Sequence, residues 1–494
     1  MTISLKQTKE LPSESKFDSV LNWIVVLPKE PTDSIWKKLP YGASMRRRYK
    51  RLPVEKRDDC PIVLDLPNAE STHAVLACVN SAASRFEQLT LARQLARHQL
   101  DLGPRRIGLC VLGFQKEQVS SIVEALIAAL LAGAAEMPRC KSKPVSRTAL
   151  AVIELYGHED TQRFRRTIAE TEGNSLARYL TALPPNDLTP AKYRTRVKQL
   201  AKQYGWRMEF LDAKVLARKK AGAFLAVAQG SPEKDAGIAH LVYTPARWTG
   251  RPKLALVGKG ICFDTGGVNL KPQKYMLGMH EDMEGSAVAL GTFLALSQLK
   301  VDFQMECWLA LATNHIGPAA YKPNDVVTAL DGTTIEIIHT DAEGRMVLAD
   351  TLALASRAKP DLIIDYATLT GACVYSLGKS YSGAFTNQER LVAPVIEAGR
   401  DSGERVWPFP MDKDYDEVLK SDIADVKQCA SEGNADHIVA ARFLSRFVKD
   451  DIPWLHIDLS SGRRKGGLAH IPSDVTGFGI RFSLNLLLDK SIIR

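Results

Sequence analysis

The stretch TTIEIIHTDAEGRMVLADTLALASRA, residues 333–358, joins a strand pattern to a helix pattern through a cluster of charged residues. Its first part alternates toward a β-strand through its isoleucines, and its last part carries apolar residues at helical spacing. Asp341, Glu343 and Arg345 lie between the two patterns. A solvated helix start is one interpretation, because acids are favoured near helix N-termini and acid–arginine pairs are common on surfaces. A ligand site is the other, because open α/β sheets bind ligands at the carboxyl ends of their strands.

Length and composition predict two domains, one of them enlarged. The chain has 494 residues with 45% hydrophobic content, which is enough for a large core and too long for one ordinary domain. The first 18 residues lack the apolar core of a secretory signal, and no run approaches about eighteen apolar residues. The longest apolar run, residues 125–135, is predicted to be a buried helix. We therefore expect a cytoplasmic protein that does not enter a membrane.

The cysteines favour the same compartment. All eight are far apart, with no Cys-x-x-Cys pair and no zinc-finger spacing. They are typical of reduced, mostly buried thiols in a cytoplasmic protein.

Positive charge is concentrated near the amino terminus. The net charge is +9, and the first 51 residues hold 11 Lys/Arg against 5 Asp/Glu, including MRRRYKR at 45–51. Such a cluster could bind DNA phosphates through counterion release, or it could be a solvated loop. The sequence leaves both interpretations open.

The alternation of strand and helix patterns predicts an α/β fold throughout. We expect a small N-terminal α/β domain at 1–165, a connecting helix at 166–182, and a larger C-terminal α/β domain at 183–494. The larger domain should contain a mixed, largely parallel central sheet flanked by helices. Its predicted strands are 206–211, 253–261, 303–312, 334–340, 361–367 and 454–459.

A second informative stretch is LVGKGICFDTGGVNLKP, residues 256–272. A strand pattern leads into a glycine-rich bend that holds Lys259, Asp264 and Lys271, where glycines let the backbone approach a partner closely. Phosphate binding is the rival interpretation, but neither phosphate-loop glycine motif is present and nearby acids would repel phosphate.

A third stretch, HEDMEGSAVALG at 280–291, places Asp282 just before a helix rich in small residues. The three stretches thus bring Asp264, Asp282, Asp341 and Glu343 to strand ends or helix starts. Unmatched buried charge is strongly destabilising, so a cation is expected among these acids. Basic side chains are one candidate. Divalent metals are the other, since Mg²⁺, Mn²⁺ and Zn²⁺ all accept carboxylate ligands, and two ions roughly 3.5 to 4 Å apart could share a bridging water.

These segments resemble those of the leucyl aminopeptidase family, the dinuclear-metal cytosol aminopeptidases. The resemblance is carried by VGKGICFDTGG, the Lys271-Pro pair, EDMEGSA and TDAEGR, in this order, with ATLTGA at 367–372 and LPPNDLTP at 183–190 as further matches. It covers residues 174–494. The first 165 residues are similar to the family's variable amino-terminal domain only in size and α/β pattern.

The resemblance implies roles for individual residues. Lys271 and Arg345 are implied to be the catalytic pair, with a bicarbonate ion at Arg345 as proton shuttle. Lys259 would bind as a neutral amine, because a desolvated site facing two dications lowers a lysine pKa. The implied cofactors are two divalent ions per subunit, Mn²⁺ or Zn²⁺ first and Mg²⁺ as a third candidate. The implied metal ligands are Lys259, Asp264, Asp282, Asp341 and Glu343.

The same resemblance implies an exopeptidase that acts on peptides with a free N-terminus. The α-amine would bind a metal and Asp282, a metal-bridging hydroxide would attack the scissile carbonyl, and Lys271 would stabilise the oxyanion. A methionine-lined pocket favours adaptable apolar contacts, so an N-terminal Leu-like or Met-like residue is expected. The family also implies a homohexamer. The implied pocket residues are Met279, Thr368, Leu369 and Gly371.

The chain departs from the family pattern near the acids. His339 replaces the usual asparagine, and His280, Glu281 and Glu284 add charge around Asp282. Such changes alter the surroundings of the ligands and hence metal preference, pH optimum and substrate range. Two further hypotheses are a DNA-binding or regulatory protein on an aminopeptidase scaffold and a catalytically inactive assembly subunit.

Overall fold

The computed structural model describes residues 3–58, 60–143, 149–449 and 451–493. The chain divides into two compact units. The first unit comprises Met1–Thr171 with Lys465–Asp474, and the second comprises Glu172–Arg464 with Val475–Arg494. The division therefore falls within the stretch expected to be a connecting helix, and it assigns ten residues near the carboxyl terminus to the first unit.

The first unit is built on a six-stranded sheet in the order β1-β6-β5-β2-β4-β3, in which only the β3–β4 pair is antiparallel. Its strands are β1 (Ser4–Thr8), β2 (Asn22–Pro28), β3 (Ile62–Asp65), β4 (His73–Val79), β5 (Arg106–Val111) and β6 (Val152–Tyr156). Its helices are α1 (Glu14–Ser19), α2 (Asp33–Lys37), α3 (Gly42–Arg51), α4 (Arg85–Leu100), α5 (Lys116–Ala134) and the first part of α6 (Arg165–Thr181).

Both faces of this sheet are buried. Along β2, Ile24 and Val26 enter one apolar cluster while Trp23, Val25 and Leu27 enter another. Successive side chains of a strand point to opposite faces, so a continuous apolar run is what a strand covered on both sides requires.

Helix α5 corresponds to the long apolar run in the sequence. Among the described residues it is the one helix long and apolar enough to cross a membrane by length and composition, and half of its most apolar stretch is buried in the protein. Nine of its residues are buried, and several belong to the core cluster beneath the sheet. A core helix of a folded domain has these same properties.

The basic stretch at 45–51 is helical, so the expectation of a loop is wrong. It lies in α3, whose Met45 and Tyr49 are buried in the core. Arg46 forms an ion pair with Asp33, and Arg47 donates to Ser44 Oγ at 2.9 Å. The basic groups therefore occupy the outer face of an amphipathic helix.

The second unit contains an eight-stranded sheet in the order β15-β14-β17-β13-β9-β10-β8-β7. Its strands are β7 (Arg207–Asp212), β8 (Gly237–Tyr243), β9 (Lys253–Asp264), β10 (Gln304–Asn314), β13 (Leu362–Ala367), β14 (Ser382–Thr386), β15 (Val406–Pro408) and β17 (Trp454–Asp458). The four central strands β17, β13, β9 and β10 are mutually parallel, and antiparallel pairs occur toward the edges. The predicted mixed, largely parallel sheet is confirmed.

Helices flank this sheet and carry part of the site. They are α7 (Pro190–Tyr204), α8 (Ala213–Arg218), α9 (Gly222–Ala228), α10 (Gln273–Met276), α11 (Glu284–Leu299), α12 (Glu343–Arg357), α13 (Gly371–Leu377), α14 (Val392–Ser402), α15 (Asp436–Ser445) and α16 (Ile480–Leu484). Small residues let α11 lie close to the strands, since a Cβ on Gly258 would meet Ser286 Cα at 2.4 Å and one on Gly285 would meet Tyr366 O at 2.2 Å.

The predicted strand at 334–340 is largely wrong. Only Thr334–Glu336 forms a strand, β12, and it belongs to a separate three-stranded sheet with β11 (Val326–Thr328) and β16 (Val426–Lys427). Residues 337–342 form an irregular segment that leads into α12. The alternating isoleucines indicate burial here, since Ile335 and Ile337 are fully buried in the core.

All eight cysteines lie in the described part of the chain and are free thiols. Six of them are buried.

Candidate metal centre

The site lies at the carboxyl ends of the central parallel strands. Asp264 ends β9, Asn314 ends β10, and Asp458 ends β17. Asp264 and Asn314 are register partners in the β9–β10 pair. Thr368 directly follows β13, whose last residue is the register partner of Asp458. Parallel strands bring these positions to one edge of the sheet, which is where open α/β sheets bind ligands.

The acids predicted from the sequence are brought together at this edge. The ligand oxygens of Asp264, Asp341 and Glu343 all lie within 4.8 Å of one another. Asp264 and Glu343 are 2% and 1% exposed. Asp282, which is 5% exposed, is not one of these three, and it shares the Lys259 ammonium with Glu343. Asp341 is reached from the irregular segment before α12, and Glu343 is the first residue of that helix.

Lys259 lies among these acids, on the same strand as Asp264. Its Nζ is 2.8 Å from Asp282 Oδ1 and 2.9 Å from Glu343 Oε1, and it donates to the carbonyl of Thr368 at 3.0 Å. Burial alone lowers the pKa of Lys259, but the neighbouring carboxylates raise it by more. With protein charges alone, Lys259 is therefore an ammonium, so its expected role as a neutral amine depends on the charge of bound ions.

Lys271 joins the other two carboxylates. Its Nζ is 2.8 Å from Asp264 Oδ2 and 2.5 Å from Asp341 Oδ1, and its side chain is 14% exposed. It reaches the site from the bend after β9, where Gly266 and Gly267 have positive φ angles of 85° and 67°. A Cβ on Gly266 would meet Asn269 O at 2.5 Å, so the bend requires glycine.

The cluster carries more negative charge than its lysines match. Four carboxylates share two ammonium groups. Burial, together with Asp264 and Glu343, raises the pKa of Asp341 to about 7. Burial also raises the pKa of Asp282 well above its ordinary range, and Lys259 offsets this only in part. Such an excess is relieved when a divalent cation binds among the oxygens.

Unpartnered buried oxygen atoms point the same way. Asp282 Oδ2 and Asn314 Oδ1 are buried, and neither finds a hydrogen-bond donor within the described part of the chain. Buried polar atoms are nearly always satisfied, by protein, water or ion. Carboxylate and carbonyl oxygens are ligands of hard divalent cations, so this donor set fits such ions.

Asn314 is a central residue that the sequence did not reveal. It is 1% exposed, and its Nδ2 donates to Asp264 Oδ1 at 2.8 Å, to Thr340 O at 3.0 Å and, at 3.5 Å, to Glu343 Oε2. It therefore holds two of the acids in place. Its position two residues after the predicted strand at 303–312 was the available signal.

Gly344 lets α12 begin close to the side chain of Lys259. A Cβ at this position would meet Lys259 Cε at 2.7 Å and Nζ at 2.8 Å. The glycine between Glu343 and Arg345 thus leaves room for the lysine side chain.

Thr368 and Leu369, two of the predicted pocket residues, lie at the site. Thr368 Oγ1 donates to Asp282 Oδ1 at 2.8 Å. The backbone N–H of Leu369 donates to Asp458 Oδ1 at 3.1 Å, so a buried acid fixes the loop after β13. Gly371 begins α13 and is exposed, and Met279 is half-buried in the turn that precedes Asp282.

Arg345 faces a different partner from the lysines. It is 2% exposed, and its Nη2 donates to both carboxylate oxygens of Asp436 at 2.8 and 2.9 Å. Its Nη1 donates to Gln428 O at 3.3 Å. Burial lowers the pKa of Arg345, but Asp436, Cys429 and Glu343 together raise it by more, so the guanidinium is always charged. Neither Asp436 nor Gln428 was singled out in the sequence.

The residues that depart from the family pattern differ in their surroundings. His339 Nδ1 accepts from the backbone N–H of Asp341 at 3.2 Å, and burial lowers the pKa of His339. Burial also lowers the pKa of His280 and raises that of Glu284 to about 8. Glu281 forms an ion pair with Arg463.

Comparison with known proteins gives the family. Residues 175–484 match the model of the "Cytosol aminopeptidase family, catalytic domain". The chain is 36% identical over 381 residues to a protein of Persephonella marina named "Probable cytosol aminopeptidase", covering 76% of each. A protein of the same name from Rhodopseudomonas palustris is 38% identical over 408 residues, covering 77% of this chain and 78% of the relative.

Solved structures agree with these matches. A mutant of tomato leucine aminopeptidase superposes with a TM-score of 0.86 at 28% identity, covering 99% of this chain and 97% of that one. The bottromycin maturation enzyme BotP in complex with Mn gives a TM-score of 0.81 at 29% identity, covering 96% of this chain and 100% of that one. With its fold, its acid cluster and these relatives, the chain belongs to the cytosol aminopeptidase family of metal-dependent exopeptidases.

Proposed function

We propose that this metal-dependent aminopeptidase holds two divalent ions and removes Leu-like or Met-like residues from the free N-terminus of peptides. Mn²⁺ and Zn²⁺ are the first candidates for the ions, and Mg²⁺ is the third. The ligands proposed are Lys259, Asp264, Asp282, Asp341 and Glu343. The observation that carries the proposal is that four buried or partly buried carboxylates share two ammonium groups. One carboxylate oxygen, Asp282 Oδ2, has no hydrogen-bond donor in the described chain.

Held by the proposed ligands, the ions would supply Lewis acidity toward the scissile carbonyl and would lower the pKa of a bound water molecule. The chain's own residues bind and orient the substrate. Asp282 is suited to receive the substrate's α-amine, because Oδ2 is a buried acceptor without a donor in the described chain. A peptide with a blocked amino terminus would lose this anchor, which limits the reaction to exopeptidase cleavage.

Lys271 is suited to stabilise the oxyanion. Its ammonium contacts Asp264 and Asp341, and 14% of its side-chain surface is exposed. A substrate that binds at the acids can therefore reach this ammonium. A fixed cation at a developing oxyanion contributes roughly 3 to 4 kcal/mol in comparable sites.

The specificity pocket is proposed to include Met279, Thr368, Leu369 and Gly371. Thr368 joins this pocket to the acids, since its hydroxyl binds Asp282 and its carbonyl binds Lys259. The space beside Gly371, at the start of α13, is open. A Cβ at this position would lie 3.9 Å from its nearest neighbouring atom. A thioether and a leucine side chain favour apolar N-terminal residues.

A homohexameric assembly is a proposal that rests on the family alone. A cytoplasmic location is a proposal that rests on the family and on the free, widely spaced cysteines. DNA binding by α3 lacks a supporting observation beyond its charge, so the peptidase is the function proposed.

The decisive assay measures hydrolysis of leucine p-nitroanilide and of its N-acetylated form with Mn²⁺, Zn²⁺ or EDTA. We expect cleavage of the free-amine substrate only, abolished by EDTA and restored by metal. Cleavage of both substrates at similar rates would refute amine anchoring. Metal analysis of the reloaded protein should find two ions per subunit, and a ratio of one would refute the dinuclear site.

A further inference from the structure

The guanidinium of Arg345 already has an anion of its own. Nη2 is bound to both oxygens of Asp436, and the arginine is almost completely buried while the Asp436 side chain is 28% exposed. A charge-assisted contact to two carboxylate oxygens is among the strongest that arginine makes. An external anion would have to displace Asp436 to make the same contact.

The backbone next to Asp436 is strained. Asp436 is the first residue of α15, and the preceding Ala435 adopts a left-handed conformation with φ 51°. Such a conformation is unfavourable for a residue other than glycine, and strain of this kind persists where neighbouring structure enforces it.

Gln428 ties the same region to the acid cluster. It is fully buried, its carbonyl accepts from Arg345, and its side-chain amide donates to Ala342 O at 3.0 Å. Its Oε1 accepts from the backbone N–H of His339 at 3.2 Å. The Arg345–Asp436 pair is therefore fixed to the same segment that carries Asp341 and Glu343.

This arrangement disagrees with bicarbonate at Arg345, which the family resemblance implies. Nη2 is committed to Asp436 and Nη1 to Gln428, so of the three nitrogens only Nε has no acceptor within the described chain. A tethered carboxylate also competes with a free one through its effective concentration, which is on the order of millimolar even for a flexible tether.

We propose that Asp436 is the built-in anion of Arg345, taking the position that an external bicarbonate would otherwise occupy. The inference rests on the proposed peptidase function, because it assigns Arg345 to that site. With Asp436 in this position, the enzyme needs no bicarbonate. Removal of the Asp436 carboxylate should create an anion site that small carboxylates fill.

The test compares the Mn²⁺-loaded wild type with Asp436→Ala and Asp436→Asn, with and without added bicarbonate or formate. Wild-type hydrolysis of leucine p-nitroanilide should not respond to either anion. Asp436→Ala should lose activity, on the order of 10²-fold for a misplaced catalytic group, and regain it with either anion. Asp436→Asn should lose activity without rescue, because its side chain still fills the space.

Asp416→Ala is the matched control. Asp416 binds Arg442 through both oxygens, at 2.8 and 2.6 Å, and its side chain is 27% exposed, so the pair has similar chemistry. It lies outside the proposed catalytic machinery, so Asp416→Ala should keep wild-type activity with no response to bicarbonate. Thermal unfolding of each variant checks that it is folded.

A binding measurement separates this inference from the peptidase proposal. In ¹³C NMR of the Zn²⁺-loaded proteins with labelled bicarbonate, the wild type should show no bound anion and Asp436→Ala should show one. Bicarbonate bound to or stimulating the wild type would overturn the inference, as would an Asp436→Ala variant that is fully active without added anion. A wild type inactive with every metal would refute the peptidase proposal instead, and the NMR result would still decide the anion question. If Asp436→Ala does not fold, the wild-type titration and Asp436→Asn decide it.

Discussion

Both units of this protein bury acids on a largely parallel sheet, but the acids have different surroundings. In the first unit, Glu154 is 6% exposed on β6 and accepts from Arg106 at 2.7 and 3.1 Å and from Tyr156 at 2.8 Å. Burial raises the pKa of Glu154, but the bonds from Arg106 and Tyr156 outweigh it, so the pKa is lowered. In the second unit, the pKa of Asp341 is raised to about 7 because acids outnumber cations.

The difference shows that burial alone does not mark a functional acid. A matched acid such as Glu154 is a structural element whose partners satisfy it. An acid cluster with an excess of charge costs stability in the protein alone, and that cost is recovered when a cation binds.

The largest effect is expected from Glu343→Gln, compared with Glu154→Gln. Loss of a ligand charge should lower activity on leucine p-nitroanilide by about 10²-fold or more and reduce the metal content. Glu154→Gln should instead lower the free energy of unfolding by about 2 kcal/mol and leave metal content and activity unchanged. Equal metal content in both variants would show that Glu343 is not a ligand.

The next effect concerns Lys271→Ala. We expect kcat to fall by roughly 10²- to 10³-fold while KM changes little, because the ammonium acts on the oxyanion and not on the bound substrate. Steady-state kinetics with leucine p-nitroanilide measure it. A rise in KM with unchanged kcat would instead assign Lys271 to substrate binding.

A pH experiment sharpens the contrast between the two regions. The pKa of Asp341 is about 7 in the folded protein and about 3.9 in an unfolded chain, so the native state holds an extra proton between these values. Stability therefore falls as pH rises through this window. In chelator-treated protein, Asp341→Asn should raise Tm at pH 8 and have little effect at pH 4.

Glu154 should show the opposite sign. Its pKa is lowered in the folded state, so its contribution is present above the unfolded pKa and is lost as pH falls through the folded one. Glu154→Gln should lower Tm at pH 7 and lower it less in acid. Parallel pH dependence for the two variants would contradict the distinction between matched and excess acids.

The smallest effect is expected from replacing Arg46, Arg47 and Arg48 by alanine. Exposed ion pairs contribute about 0 to 1 kcal/mol, so Tm and peptidase activity should change little.

The same variant tests the DNA hypothesis. Salt-dependent retention of duplex DNA by the wild type, lost in the variant, would support it, and no retention at low salt would remove it.

Local pattern predicted the fold class because buried parallel strands read as apolar runs and helices as periodic ones. The runs at 253–261 and 361–367 became β9 and β13, and the family segments placed the lysines and acids of the site. The prediction failed at 334–340, where alternating isoleucines pack in a core without forming a long strand. Periodicity reports which side chains are buried, and it does not report whether a neighbouring strand is available to pair.

The sequence by itself determined the family, the alternation of elements, and the charged residues to which roles could be assigned, because motif and period are local properties of the chain. Only the tertiary structure decided that Asn314 holds two acids, that Asp458 fixes the Thr368 loop, and that Asp436 binds Arg345. These contacts join residues far apart in sequence, and hydrogen-bond energy depends on distance and angle in space.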